Sequence, residues 1–284
     1  MADRRTWRAT FGNGRVLFGM AVSLTLITVA LAAPLLAPHD PLDQDLLSSF
    51  LPPFWRGGAD PGFLLGTDSL GRDLLSRLIY GARVALIVAL VAASLAALLG
   101  TLLGMLAGYY GSWLDATISR LVDVWMSFPP VLLSVVLAAV VGAGLKAVIL
   151  AIIVVDWTRF CRIVRAEVLV QREQDYVAAA VTIGLPRRHV LTGEILPNLL
   201  PTLLVLWSLE MGIAVIVEAI LSFVGLSVAS DAPTWGGLIQ EGRLYINQAW
   251  WMMALPMGCI ILTVLGFNAL GDGLRETLDP VLRR

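Results

Sequence analysis

Lysine is nearly missing from this chain: of 20 basic residues only Lys146 is not an arginine. Lys146 stands between Leu145 and Ala147, so there is no Gly-Lys-Ser/Thr phosphate loop and the chain is not itself a P-loop ATPase. Cysteine is scarce too. Cys161 and Cys259 lie in or beside apolar segments, which argues against a disulfide framework. His39-Asp40 has no further histidine nearby and no His-Glu-x-x-His string occurs, so no metal site is expected. Charged residues make up 14% and the net charge is −1, which gives no hint of a nucleic-acid partner. What fills the chain instead is apolar. A hydrophobic share of 58% and a mean hydropathy of +0.82 exceed what one soluble core can bury, and the reading is an all-α integral membrane protein.

Six apolar segments are spaced along the chain. The first, Val16 to about Leu36, follows Arg4, Arg5, Arg8 and Arg15. Ala30-Leu31-Ala32 resembles a signal-peptide cleavage site, but a run of about 20 residues is long enough to span, and a retained helix is expected. The second, about Val84 to Ala107, has small residues every fourth position at Ala92, Ala96, Gly100, Gly104 and Gly108. They share one helix face, where a helix of this chain or of another subunit could pack closely. Tyr109 to Phe128 reads as an amphipathic interfacial helix, with Trp113 and Trp125 at headgroup depth. The third segment runs from about Pro129 to Val141, the fourth from about Ala147 to Trp157, the fifth from about Leu199 to Val224 and the sixth from about Trp251 to Leu270. Pro38 to Tyr80 and the segment opened by Pro233-Thr234-Trp235-Gly236 read as outer loops, in which Asp68 and Asp73 are turn and cap residues. With both termini inside, most arginines fall on the inner side, as the positive-inside rule requires.

The stretch from Asp156 to Pro201 is the polar interruption richest in arginine: Arg159, Arg162, Arg165, Arg172, Arg187 and Arg188. Tyr176 to Ile183 is helix-compatible, with a small face at Ala178, Ala179 and Ala180 that another protein could approach closely. Gly184 permits a C-terminal turn and Pro186 stops the helix. Glu194-Ile195-Leu196-Pro197-Asn198 then opens a second helix. The alternative reading is a solvated loop helix with no partner.

Ala179, Ala180, Gly184, Leu196 and Pro197 resemble the EAA loop of bacterial ABC-importer permeases, with Ala178 in place of the usual glutamate. Four further strings resemble the peptide and nickel class of that family: Gly66 to Asp73, Gly108 to Pro129, Glu218 to Leu226, and Asn268 to Arg275 with Leu278-Asp279-Pro280. The resemblance implies a type I ABC importer permease core of six transmembrane helices in the bacterial inner membrane, with no catalytic residues, cofactor or metal of its own. It further implies a sister permease, one or two ABC ATPase subunits that bind ATP and Mg, and an extracytoplasmic solute-binding protein. Residues 1–37 would be the cytoplasmic N-terminus and first helix, 38–82 an extracytoplasmic loop, 83–280 the permease core with its coupling loop at about 159–198, and 281–284 a cytoplasmic tail. Tyr176, Ala179, Ala180, Gly184, Leu196 and Pro197 would couple to the ATPase.

Glu210 and Glu218 sit inside the fifth segment on nearly the same helix face, where a charge must meet water or a partner rather than lipid. Glu218 belongs to a string shared with the family; Glu210 does not, which makes it the stronger candidate for the pathway, with a packed, hydrogen-bonded acid as the alternative reading. Asp156 reads either as a proton-relay acid or as an interfacial ion-pair partner of its arginines. Short peptides are the expected cargo, with nickel chelates, glutathione or another small solute as alternatives. An ion-coupled transporter using Asp156, Glu210 and Glu218 is the rival class. An intramembrane hydrolase built on Gly271-Asp272-Gly273 and Asp156 is the enzyme reading.

Overall fold

The computed structural model describes residues 13–227 and 232–278, so the expectations for Arg4, Arg5, Arg8 and Asp279-Pro280 lie outside the described residues. Within them the elements are helical: α1 (Gly14–Leu31), α2 (Leu74–Tyr110), α3 (Ser112–Met126), α4 (Pro130–Val141), α5 (Leu145–Gln171), α6 (Asp175–Thr182), α7 (Leu196–Phe223), α8 (Trp235–Leu244) and α9 (Trp251–Leu278). Four are long and apolar enough to cross a membrane: α1, α2, α7 with its lead-in from Arg187, and α9. A fifth span arises if α3 and α4, bent by 90° at their junction, are taken together. On its own α4 rises only about 18 Å, short of a hydrocarbon core of about 30 Å.

The fourth expected span falls in α5, which differs from expectation in kind. Its 27 residues run unbroken to Gln171, whereas hydropathy places the end of the span at Trp157. Asp156, Arg159, Arg162 and Arg165 lie in mid-helix. The polarity change at Asp156 therefore marks a change of surroundings, not of backbone conformation, and the interhelical connection begins only at Arg172. A similar correction applies to α2. Asp73 caps it by accepting from the Ser76 N–H at 2.9 Å, and residues 74–80, read from the sequence as the end of a loop, form one helix of 37 residues with the second span.

The small-residue face of α2 meets α5 of the same chain. A Cβ at Gly100 would lie 2.3 Å from the Trp157 carbonyl oxygen, one at Gly104 2.6 Å from that of Cys161, and one at Gly108 2.8 Å from Val168 Cβ. Such backbone proximity is what a small-residue step allows. Farther along, Ala92 joins Val148, Ala151 and Ile152 in a core with Ala214 and Leu221 of α7. On the opposite side α1 lies on α9, where Gly266 receives Val22 and Gly273 receives Val16. Trp125 donates its indole N–H to the Val154 carbonyl at 2.6 Å and ties α3 to α5, while Trp113 is 73% exposed.

The polar segment before α2 is pinned by charge. Asp68 is fully buried and accepts from the Leu70 and Arg72 N–H groups, from Arg72 Nε at 2.7 Å, and from Arg77. Both arginines also reach Glu241 on α8. Trp235, at the start of α8, fits into the space left by Gly81 and donates to the Leu78 carbonyl at 3.0 Å.

Candidate coupling loop and membrane pathway

Helix α6 owes its limits to local chemistry. Gly184 has φ +84°, and the chain closes with Gly184 N–H to the Val181 carbonyl and Leu185 N–H to the Ala180 carbonyl, the paired bonds of a Schellman turn. Pro186 then starts the next turn in extended conformation. Between Val190 and Ile195 the helix widens to π geometry before α7. Pro197 offers no N–H to the preceding turn, a physical reason for the regular ladder to fail there.

The two faces of α6 differ. Val177 and Ala180 are buried against Val164 and Val168 of α5, Met105 of α2, and Val190, Leu191, Ile195 and Leu199 around the π segment. Ala178 and Ala179 are exposed, as are Val181 at 55% and Ile183 at 76%. The Tyr176 hydroxyl donates to Gln171 Oε1 at 2.5 Å and accepts from Asn198 Nδ2 at 3.3 Å, closing the base of the loop. Of the predicted coupling residues, Ala180 therefore anchors the loop and Tyr176 braces it. Ala179 lies on the open face, Gly184 makes the turn, and Leu196 and Pro197 begin α7.

The two acids of α7 occupy unlike surroundings. Glu218 is 1% exposed, and its Oε1 accepts from Ser222 Oγ at 2.5 Å and Ser227 Oγ at 3.1 Å. Glu210 is 3% exposed and faces α5, with Oε2 3.7 Å from Arg159 Nη1. Arg159 Nε in turn lies 3.8 Å from Asp156 Oδ1, so one guanidinium bridges acids on two helices. Asp156 is 2% exposed in mid-helix rather than at a helix end. The Asp156–Arg159 pairing is legible at i,i+3, but the involvement of Glu210 is not, since no local spacing links positions 51–54 apart. Asp272, the other acid of the hydrolase reading, is exposed on α9. No group of three metal-ligating side chains occurs among the described residues.

Residues 100–284 match the family described as binding-protein-dependent transport system inner membrane component, and residues 4–53 match the N-terminal TM domain of oligopeptide transport permease C. The chain is 39% identical to the di/tripeptide transport system permease protein DppC of Pseudomonas aeruginosa, over 98% of this chain and 91% of that protein. It is 38% identical to the dipeptide transport system permease protein DppC of Escherichia coli, over 98% and 93%. Among solved structures, an inward-facing form of the MetNI methionine ABC transporter aligns with a TM-score of 0.60 over 72% of this chain and 97% of that one; at 21% identity this likeness speaks for the fold alone. Fold, family match and whole-length relatives agree that the chain belongs to the binding-protein-dependent transport system inner membrane component family, as a multi-pass protein of the bacterial inner membrane.

Proposed function

We propose that this chain is one permease subunit of an ATP-driven importer of short peptides. The relatives named as dipeptide and di/tripeptide permeases support the cargo class over nickel chelates or glutathione. The observation that carries the coupling role is the two-sided α6: one face locked into the ends of α2, α5 and α7, the other presenting Ala179, Val181 and Ile183 outward. A short helix with an apolar outer face suits a groove on a partner. The partners are a sister permease, one or two ATPase subunits holding ATP and Mg, and an extracytoplasmic binding protein. The six-span count takes α3 with α4 as one span and α5 as another, and the arginine distribution argues for α6 and both termini in the cytoplasm. When the ATPases close, displacement of α6 carries α5 and α7 with it, because Val177 and Ala180 share a packed core with both.

Affinity purification of the tagged chain from its native membrane in mild detergent, followed by mass spectrometry, tests the assembly. A Walker-motif ATPase and a second permease are expected to accompany it; a chain recovered alone would sink the coupling role. Gly184→Val tests the loop. A β-branched residue at φ +84° is strained by about 1–2 kcal/mol, equivalent to roughly a tenfold shift away from the docked turn. No atom lies within 4 Å of the added Cβ, so the fold itself is spared. Dipeptide uptake is expected to fall about tenfold with the amount of membrane protein unchanged, and uptake equal to wild type would count against the turn.

A further inference from the structure

The turn from Pro53 to Arg56 is held against the start of α9. Pro52 and Pro53 stiffen its entry, the Phe54 N–H donates to the Leu64 carbonyl at 3.0 Å, and the Arg56 N–H closes it on the Pro53 carbonyl at 2.9 Å. The Arg56 guanidinium thereby lies over the Trp251 ring, 5.4 Å from its centre, and Trp251 meets Trp250 edge to face at 6.3 Å. Trp55 is 48% and Trp250 46% exposed, and neither donates its indole N–H within the described residues. Arg56 is exposed too and makes no ion pair among them. Asp60, the one acid between residues 46 and 67, accepts from the Gly62 N–H instead. This cluster lies at the end of the spans remote from α6. Helix α7 leads away from α6, Gly236 of α8 meets its far end at Ala219 and Ser222, and Gly242 meets Met252 and Met253 of α9.

From the same point an exposed apolar face runs down α9. Trp250, Ala254, Met257, Ile261 and Leu265 recur at steps of three or four residues, hence on one side of the helix, and span about 22 Å. One leaflet of hydrocarbon is about 15 Å deep. Gly258 leaves open space on this face, enough for a chain to lie close to the helix. The order along α9 is therefore an unpaired cation, two indoles with N–H groups to give, and then an uninterrupted apolar face. A phospholipid has the complementary order: a phosphodiester, ester oxygens and an acyl chain. We propose that Arg56, Trp55 and Trp250 bind a phospholipid at the start of α9, Arg56 donating to its phosphate and the indoles to its ester oxygens. One acyl chain follows Met257, Ile261 and Leu265, and the site fastens the segment before α2 to the leaflet in which α9 begins.

The test keeps the full chain in its native membrane and places photoreactive benzoylphenylalanine at Phe54, which is 66% exposed and meets Trp55 edge to face at 5.0 Å. After irradiation of the cells the chain is purified under denaturing conditions, and mass spectrometry identifies what the peptide bearing position 54 carries. A phospholipid adduct is expected. An adduct with a solute-binding protein or a second permease, or no adduct, overturns the site. Simple immersion in the bilayer would also label lipid, so Arg56 discriminates between the two. R56Q should lower the phospholipid adduct about fivefold, the effect of one cation facing phosphate at a membrane surface, and R56K should keep most of it. Equal yields in wild type and R56Q overturn the proposal, and they are the result expected if Arg56 only covers the Trp251 ring. Should R56Q be lost from the membrane, W250A carries the test. Its adduct at position 54 should fall about threefold, the value of one hydrogen bond, and an unchanged yield overturns the proposal.

Discussion

Asp68→Ala is expected to leave almost no folded protein in the membrane. Asp68 has no exposed surface, and it holds its turn through the Leu70 N–H at 2.8 Å and the Arg72 N–H at 3.0 Å. It also faces two guanidinium groups, those of Arg72 and Arg77, the latter only 5% exposed. Removing it leaves two cations sharing Glu241 alone, and the uncompensated charge has little water to turn to. Deleting one partner of a buried pair costs about 3–5 kcal/mol, a large part of the whole stability of a typical domain. Glu241 offers the internal control. Its side chain is 34% exposed, so the arginines released by Glu241→Ala still have Asp68 and solvent, and the loss should be near 1 kcal/mol. Fluorescence-detected size-exclusion chromatography of tagged variants reads the difference: the Asp68→Ala peak should vanish while the Glu241→Ala peak persists. Comparable losses from both would move the centre of the network from Asp68 to Glu241.

The same cluster shows where sequence reasoning reaches and where it stops. Asp68 as a turn residue and Asp73 as a cap are legible because both act on N–H groups within four positions. Glu241 is not, since it lies 164 residues from Arg77 and nothing in local spacing announces the contact. The turn at Gly184 was readable for the same reason as the cap: positive φ and a following proline are local facts. Glycine spacing on α2 predicted a close approach but named no partner, because periodicity describes one surface and not the surface that meets it. Hydropathy misjudged α5 for a physical reason. Asp156, Arg159 and Arg162 meet acids on α7 and α3, or each other, so charge interrupts the apolar run without interrupting the helix. Glu210 and Glu218 look alike in sequence, and only their surroundings separate a carboxylate satisfied by two serines of its own neighbourhood from one set against Asp156 and Arg159 of α5.

Gly100→Leu should be the most damaging single change along the α2–α5 seam, and a graded series makes the reason testable. Even the Cβ of alanine at position 100 would stand 2.3 Å from the Trp157 carbonyl oxygen and 2.9 Å from the Cys161 nitrogen, both backbone atoms that cannot rotate aside. The helices must separate, and overpacking of this kind costs about 1–3 kcal/mol, with leucine at the upper end. At Gly104 the nearest atom is again a carbonyl oxygen, at 2.6 Å, whereas at Gly108 it is a side-chain carbon at 2.8 Å. Alanine should therefore hurt most at position 100, less at 104 and least at 108. Gly258 on α9 has open space around it, and alanine there should be neutral or stabilising by up to about 1 kcal/mol through helix propensity. Thermal unfolding of the purified variants in one detergent checks the order, and equal gains at all four sites would show that helix propensity rather than contact governs the seam. The seam also bears on function. Met105 of α2 packs with Val164 and Val168 of α5 in the same core that anchors Val177 and Ala180 of α6. A wedge at Gly104 therefore acts on the anchor of the coupling helix as well as on stability. At Gly104→Ala dipeptide uptake should fall further than the loss of folded protein accounts for, whereas at Gly258→Ala uptake and protein should stay at wild-type level together.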